Sequence, residues 1–302
     1  MILLAALTCA SATACAQVTD RDPEIPVPAA NPARPTVTNP ATLPPVGYLQ
    51  FEQGYLGSLH SPETDTQYGL NQVTKLAVHP RLMLAISSQP FAASKSYGDP
   101  TISHDPGGIQ VGFQAVLFTP TLTPSTAKSP EGAPADAQKS PIPTIAVGYY
   151  HTVYGGTASD IDLGSATNSL ILLFSGDVHG FHYDTNYLLN EQDGDSNLAD
   201  RTIHRAQFAQ TLSVNHSLFN PNLQLSVELY HFTQPLVAAD ATSHPISRAH
   251  LVDLLIAPSY QLRPNLVLDF GFSHGFTSTS TQWQSFAGFT YLLPHRLWPT
   301  RK

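Results

Sequence analysis

Histidines are the residues whose number first suggests metal or catalytic chemistry. The 302-residue chain carries 13 of them, and those in its alternating segments fall on different predicted strands: His151, His182, His216, His231, His250 and His274. A structural zinc site needs closely spaced His and Cys ligands, and neither a His-x-His motif nor a Cys partner accompanies these residues. The sequence therefore predicts no metal site and no cofactor.

The tripeptide Asn215-His216-Ser217 suggests a hydrolase, which needs a nucleophile beside a base. Neighbouring residues of a strand point to opposite faces, so His216 and Ser217 cannot pair within one strand. No glycine-rich phosphate loop or paired-carboxylate motif stands out. We expect no enzyme activity and no catalytic residues, and keep a barrel-embedded hydrolase only as an alternative.

Polar residues on one face of the predicted strands are the better functional candidates. The candidate lumen-lining residues are Glu52, Lys75, Gln110, Gln114, His182, Asp184, Asn186, Glu228, Asp253 and Asp269. Carboxylates outnumber the single lysine, which predicts a hydrated or mildly cation-selective interior. Small barrels also fill their interiors with side chains, so a packed, non-conducting interior stays open.

These residues depend on strands, and the segment from Arg205 to Phe232 shows the pattern most clearly. Its second half alternates between apolar and polar residues, with Leu223, Leu225, Val227 and Leu229 against Gln224, Ser226 and Glu228. Such a period of two places one set on each face of a strand. Asn220-Pro221-Asn222 interrupts two alternating runs and predicts the turn of an antiparallel hairpin.

The same criterion predicts about twelve strands. They cover residues 47–58, 68–78, 82–89, 108–118, 144–154, 169–175, 181–189, 205–218, 223–232, 250–262, 266–276 and 283–293. Tight turns at 79–81, 177–180, 220–222 and 263–265 alternate with long connections near 59–66, 90–107, 155–168, 190–201 and 235–247. Outer-membrane barrels sort their connections in this way, with short periplasmic turns and long external loops.

Composition agrees with a barrel better than with a soluble sandwich. Charged residues make up only 12% of the chain, against about 25% in typical soluble domains. The formal net charge of -8 argues against a nucleic-acid partner. We predict an all-β fold, a transmembrane antiparallel barrel of about 12 strands in an up-and-down meander; a soluble all-β fold is the alternative.

The N-terminus predicts export. Residues 1–16 resemble a signal peptide with cleavage after Ala16, whereas lipidation of Cys15 is a rival interpretation. Residues 17–45 are rich in proline and predict a disordered lead. The predicted barrel covers 46–294 with a disordered periplasmic insertion at 119–142, and a tail follows at 295–302.

Several motifs resemble the outer-membrane family described as "Putative MetA-pathway of phenol degradation". They are Gln67-Tyr68-Gly69-Leu70 leading into residues 75–80, Arg81-Leu82-Met83-Leu84, the strand 143–148, His182-Tyr183-Asp184-Thr185-Asn186 and the turn 262–266. The insertion 119–142 and a tail without a terminal aromatic residue depart from that family. The resemblance implies an outer-membrane protein that passes small, apolar or aromatic compounds.

Together these features predict an exported protein of the Gram-negative outer membrane. The expected function is a channel or transporter, and the alternative is a structural or surface-interaction barrel without transport. Expected partners are outer-membrane lipid, the outer-membrane assembly machinery and a small-molecule solute.

Overall fold

The computed structural model describes residues 27–61, 64–120, 141–155, 166–193, 204–235 and 248–298. Within these ranges the chain forms strands β1 (Leu49–Leu59), β2 (Thr64–His79), β3 (Leu82–Ser96), β4 (Ser103–Asp105), β5 (Ile109–Phe118), β6 (Thr144–Tyr154), β7 (Ala166–Val178), β8 (Phe181–Asp193), β9 (His204–Ser217), β10 (Leu223–Pro235), β11 (Arg248–Arg263), β12 (Leu266–Gly275) and β13 (Trp283–Leu292). None of the described residues forms a helix long and apolar enough to span a membrane.

The strands close into one barrel. Each wall strand pairs antiparallel with its sequence neighbour, and the ring closes where β1 pairs with β13 from Gln50↔Leu292 to Leu59↔Trp283. The three-residue β4 pairs only with residues 92–94 of β3, beyond the part of β3 that pairs with β5. Twelve strands therefore build the wall, and the predicted all-β meander is confirmed.

Strand β12 illustrates how alternation sorts side chains between the two faces of the wall. Asp269 and Ser273 are buried on the inner face, whereas Phe270 and Phe272 are more than half exposed on the outer face. Exposed aromatic side chains on a closed barrel match the apolar band of outer-membrane barrels, and a polar inner face matches their lumen.

The two ends of the barrel differ as predicted, with one correction. All four tight turns lie at the same end, called here the turn end, opposite the loop end. The predicted long connections at 59–66 and 90–107 are wrong in extent, because β2 begins at Thr64 and β3 continues to Ser96. Residues 64–67 of β2 are polar, whereas residues 90–96 of β3 include Phe91, Ala92 and Ala93, and the two extensions pair with each other.

The proline-rich lead is the main difference between sequence and structure. Its described part, residues 27–45, is hydrogen-bonded to the inner wall of the barrel and is not a free lead. We call residues 27–45 the N-terminal plug. The predicted signal peptide and residues 121–140 of the predicted insertion lie outside the described residues. The tail is described to residue 298, and the Leu297 amide donates to the Gly47 carbonyl.

Candidate functional site in the barrel lumen

The N-terminal plug enters and leaves the barrel through the turn end. The Ala30 amide donates to the Pro264 carbonyl on entry, and the Gly47 amide donates to the Ala77 carbonyl on return. Between these points lie an entry leg (30–34), an apex (37–39) and a return leg (40–45). The Asn31 side-chain amide donates to the Thr42 carbonyl at 3.0 Å and joins the two legs.

The entry leg contacts a polar cluster on β1 and β2. The Ala33 amide donates to Glu52 Oε1 at 3.3 Å, and the Asn31 amide donates to Gln50 Oε1 at 2.9 Å. Lys75 Nζ forms an ion pair with the same Glu52 oxygen at 2.7 Å. Glu52 is 2% exposed. A buried carboxylate of this kind needs its cation and its hydrogen-bond donors together.

Arg34 ends the entry leg on a seat made by three strands. Its guanidinium pairs with Asp269 Oδ1 of β12 at 3.2 Å. It lies over Gly54 of β1 and Gly288 of β13, which face each other across the seam that closes the barrel. A methyl group added at Gly54 would overlap the guanidinium. Glycine at both positions therefore leaves the space that the arginine fills.

The apex is held by Glu228, which lies midway along β10. The amides of Val37 and Thr38 each donate to this carboxylate at 2.8 Å, and Thr38 Oγ1 donates to it at 2.6 Å. The Thr38 hydroxyl also contacts Thr211 Oγ1 of β9 at 2.7 Å. Both Glu228 and Thr38 are fully buried. The carboxylate thus satisfies backbone donors that the irregular plug could not satisfy itself.

The apex and return leg meet neutral side chains beyond Glu228. Asn186 of β8 accepts from the Asn39 amide at 2.7 Å and donates to the Asn39 carbonyl at 2.9 Å. Ser175 of β7 accepts from the Ala41 amide at 2.6 Å. Gln114 of β5 donates to the Pro40 carbonyl at 3.0 Å. Wall side chains from most sides of the barrel therefore hold the plug.

Apolar side chains of the wall also pack against the plug. Val37 packs against an inner-face apolar cluster of Ala209, Tyr230, Phe232, Leu251, Leu255, Ala257 and Phe286. On the opposite side, Ala41 and Leu43 pack with Val116, Ala146, Ile171 and Leu173. The lumen wall is therefore not uniformly polar, and the sequence prediction of a wet interior is incomplete.

A cavity of about 610 Å³ lies between the plug and the wall at the turn end. Its lining includes Thr36 of the plug and the hydroxyl groups of Ser175, Ser226 and Ser259. It also includes His182, which lies 3.2 Å from Asp177 and 3.3 Å from Asp184. The cavity has the size of a small-molecule site and a hydrogen-bonding surface.

The predicted lumen residues all lie in strands of the wall, but they divide into two groups. Those that contact the plug are Glu52, Gln114, Asn186, Glu228 and Asp269, with Lys75 joined through Glu52. Gln110 donates to Thr152, Asp253 accepts from Ser280, and His182 joins Asp184 near the cavity. The prediction missed Gln50, Ser175 and Thr211, which share the inward alternation of their strands.

Residues that could have supported other chemistry are dispersed. Among the described residues no group of three or more His, Cys, Asp or Glu side chains could hold a metal ion. The His216 ring lies against Phe181 at the turn end, with the ring centroids 4.6 Å apart. His231 Nε2 and His250 Nδ1 lie 3.0 Å apart, on the outer face and toward the loop end.

A closed twelve-stranded barrel with an apolar outer face and a polar lumen defines an outer-membrane β-barrel protein. The family model described as "Putative MetA-pathway of phenol degradation" matches residues 33–293, and the chain belongs to this family. The matched range begins inside the plug, so the family unit includes plug residues as well as the wall. The resemblance inferred from the sequence motifs is confirmed.

One solved structure supports the fold at a TM-score above 0.5. An outer membrane channel from Pseudomonas putida F1 superposes with a TM-score of 0.56 at 10% identity, over 84% of this chain and 98% of that chain. The NanC porin (TM-score 0.49, 9% identity, 81% and 100% coverage) and the KdgM porin (0.46, 8%, 80% and 98%) are also similar. No curated protein sequence matches the chain.

Proposed function

We propose that this protein is an outer-membrane channel for small molecules and that the N-terminal plug sets its conductance. One observation carries the proposal: the lumen of the closed barrel is occupied by a segment of the chain that is not part of the wall. An obstacle formed by a segment outside the wall can leave without unfolding the barrel, whereas an interior packed by wall side chains cannot.

The solutes that we propose are apolar or aromatic. The inner-face apolar cluster around Tyr230 and Phe232 packs against Val37 of the plug, so a solute would meet it in the lumen once the plug leaves. Apolar pockets with few polar groups suit such ligands. The family description refers to phenol degradation, and the similar structure from Pseudomonas putida F1 is described as an outer membrane channel.

The orientation, export and partners of the protein follow from the proposed channel function. We propose that the turn end faces the periplasm, that an N-terminal signal peptide directs export, and that the partners are outer-membrane lipid, the assembly machinery and the solute. We propose no catalytic role and no nucleic-acid partner. The polar cavity beside the plug would then be the periplasmic exit of the passage.

A non-conducting barrel is the second candidate, and the short hydrogen bonds that hold the plug favour it. Glu228 and Asn186 together bind the apex through hydrogen bonds of 2.6 to 2.9 Å. A plug that never leaves would make the protein a structural barrel or a surface on which partners bind.

Planar-bilayer recording separates these candidates. The full chain is compared with a variant in which residues 27–45 are replaced by a flexible Gly/Ser linker of equal length. We expect small or rare conductance steps from the full chain and steps several-fold larger from the variant. A folded, heat-modifiable variant that gives no steps would overturn the channel function. Turnover of an ester by the purified barrel would instead favour the hydrolase.

A further inference from the structure

Glu228 occupies a distinctive position in the lumen because its hydrogen-bond partners come from the plug. The carboxylate is 0% exposed. Two consecutive backbone amides and one hydroxyl, from Val37 and Thr38, donate to its two oxygens. The two amides can only donate and the Thr38 hydroxyl can donate or accept, whereas an ionised carboxylate is a pure acceptor.

Protonation would weaken this complementarity. A carboxylic acid carries an O–H donor and keeps only part of its acceptor capacity. The Val37 and Thr38 amides cannot accept that O–H; only the Thr38 hydroxyl can, by turning its own hydrogen to Thr211 Oγ1. The amide hydrogen bonds to the neutral acid would no longer be charge-assisted, so the apex would lose part of its attachment. Such a loss is more costly inside a protein than in water.

We propose that Glu228 is a positioning residue that latches the plug while it is ionised and releases the apex when it is protonated. This proposal rests on the channel function proposed above and assigns its regulation. The passage is held closed at neutral pH and opens as the pH falls.

The cations Arg34 and Lys75 are paired with carboxylates other than Glu228, so protonation of Glu228 changes mainly its hydrogen bonds to the apex. Arg34 of the plug is paired with Asp269, and Lys75 of β2 is paired with Glu52. Other titratable groups face the lumen from the neighbouring strands: His182 and Asp184 on β8, Tyr230 on β10 and Asp253 on β11. Strand β9 contributes the neutral Thr211 and Ser213 at this level.

The other contacts of the apex and return leg do not titrate near neutral pH. They involve Asn186, Ser175 and Gln114, which are neutral amides and a hydroxyl. Asp184 is the carboxylate that could imitate the latch, because its charge acts on Glu228 and it accepts from Ser175. The test must therefore separate these two carboxylates.

The experiment records conductance in planar bilayers between neutral and acidic pH. The proteins are the full chain, Glu228→Gln, Thr38→Val, Asp184→Asn, the linker variant that lacks the plug, and Asp65→Asn as a carboxylate control at the loop end. The full chain should open as the pH falls. Glu228→Gln should open about tenfold more often at neutral pH and lose its pH response, because its NH₂ group faces the plug amides.

Thr38→Val tests the latch from the plug side and guards against misfolding of Glu228→Gln. It should open more often at neutral pH and keep the pH response, since Glu228 stays titratable. Asp65→Asn should behave as the full chain does.

Two outcomes would overturn the latch. One is a conducting linker variant beside a full chain without pH response; the other is loss of the pH response in Asp184→Asn while Glu228→Gln retains it. A linker variant that fails to conduct at any pH would instead reject the channel function itself.

Discussion

The plug is held by different chemistry on its two sides. The entry leg is fixed by charge, through the Arg34–Asp269 pair and through Glu52 with its partner Lys75. The apex and return leg are fixed mainly by neutral groups and by one carboxylate without a paired cation in contact. Ion pairs that water reaches respond to salt, as the partly exposed Arg34 allows here, whereas hydrogen bonds between neutral groups do not. The two sides should therefore detach under different conditions.

The largest expected effect concerns Lys75. Lys75→Met leaves Glu52 buried without its cation, and removal of one member of a buried pair costs about 3–5 kcal/mol. We expect the free energy of unfolding, measured by denaturant titration in lipid vesicles, to fall by about that amount.

The double variant Lys75→Met with Glu52→Gln is the matched control, because it removes the uncompensated charge as well. It should recover most of the lost stability, since neutral replacements of a buried pair are often tolerated. If the double variant were no more stable than Lys75→Met, the loss would come from packing and not from charge.

A smaller effect should follow from opening the seat of Arg34. Asp269→Asn removes the charge partner, and Arg34 is partly exposed, so water can compensate it in part. We expect an opening frequency about tenfold above that of the full chain at low salt. Raising the salt should increase openings of the full chain but leave Asp269→Asn nearly unchanged.

Gly54→Ala separates the space of the seat from its charge. It keeps Asp269 but places a methyl group where the guanidinium lies. It should also increase openings, yet retain their salt dependence if the displaced Arg34 still reaches Asp269. Wild-type opening in Gly54→Ala would mean that the seat adjusts freely.

The wall was predictable from the sequence, because the signal is local. The alternation between Leu and Val on one side and Gln, Ser and Glu on the other over residues 223–229 involves only neighbouring residues, and the two wall faces meet different media. Turn residues such as Asn220-Pro221-Asn222 fix the connections. The β2 extension over residues 64–67 was missed because its residues are all polar, and the β3 extension because Pro90 and the run Phe91-Ala92-Ala93 interrupt the alternation.

The plug could not be predicted in the same way. Its proline-rich sequence lacks periodicity, and its partners are distant in the chain, with Thr38 and Glu228 separated by 190 positions. One signal was available. The inward carboxylates outnumber the inward cations of the wall, so some of the cations or hydrogen-bond donors that they need had to come from outside the wall. Arg34 and the backbone amides of the lead supply it.

The smallest effect tests the neutral side. Ser175→Ala removes the acceptor of the Ala41 amide, and one hydrogen bond of this kind contributes about 1 kcal/mol. Opening should therefore rise about fivefold, with the same salt dependence as the full chain, because the charged entry leg is intact. Ser169→Ala, on the inner face of the same strand toward the loop end, should leave conductance unchanged. If Ser175→Ala altered the salt dependence instead, the two sides of the plug would detach as one unit, and the separation between charged and neutral anchoring would not hold.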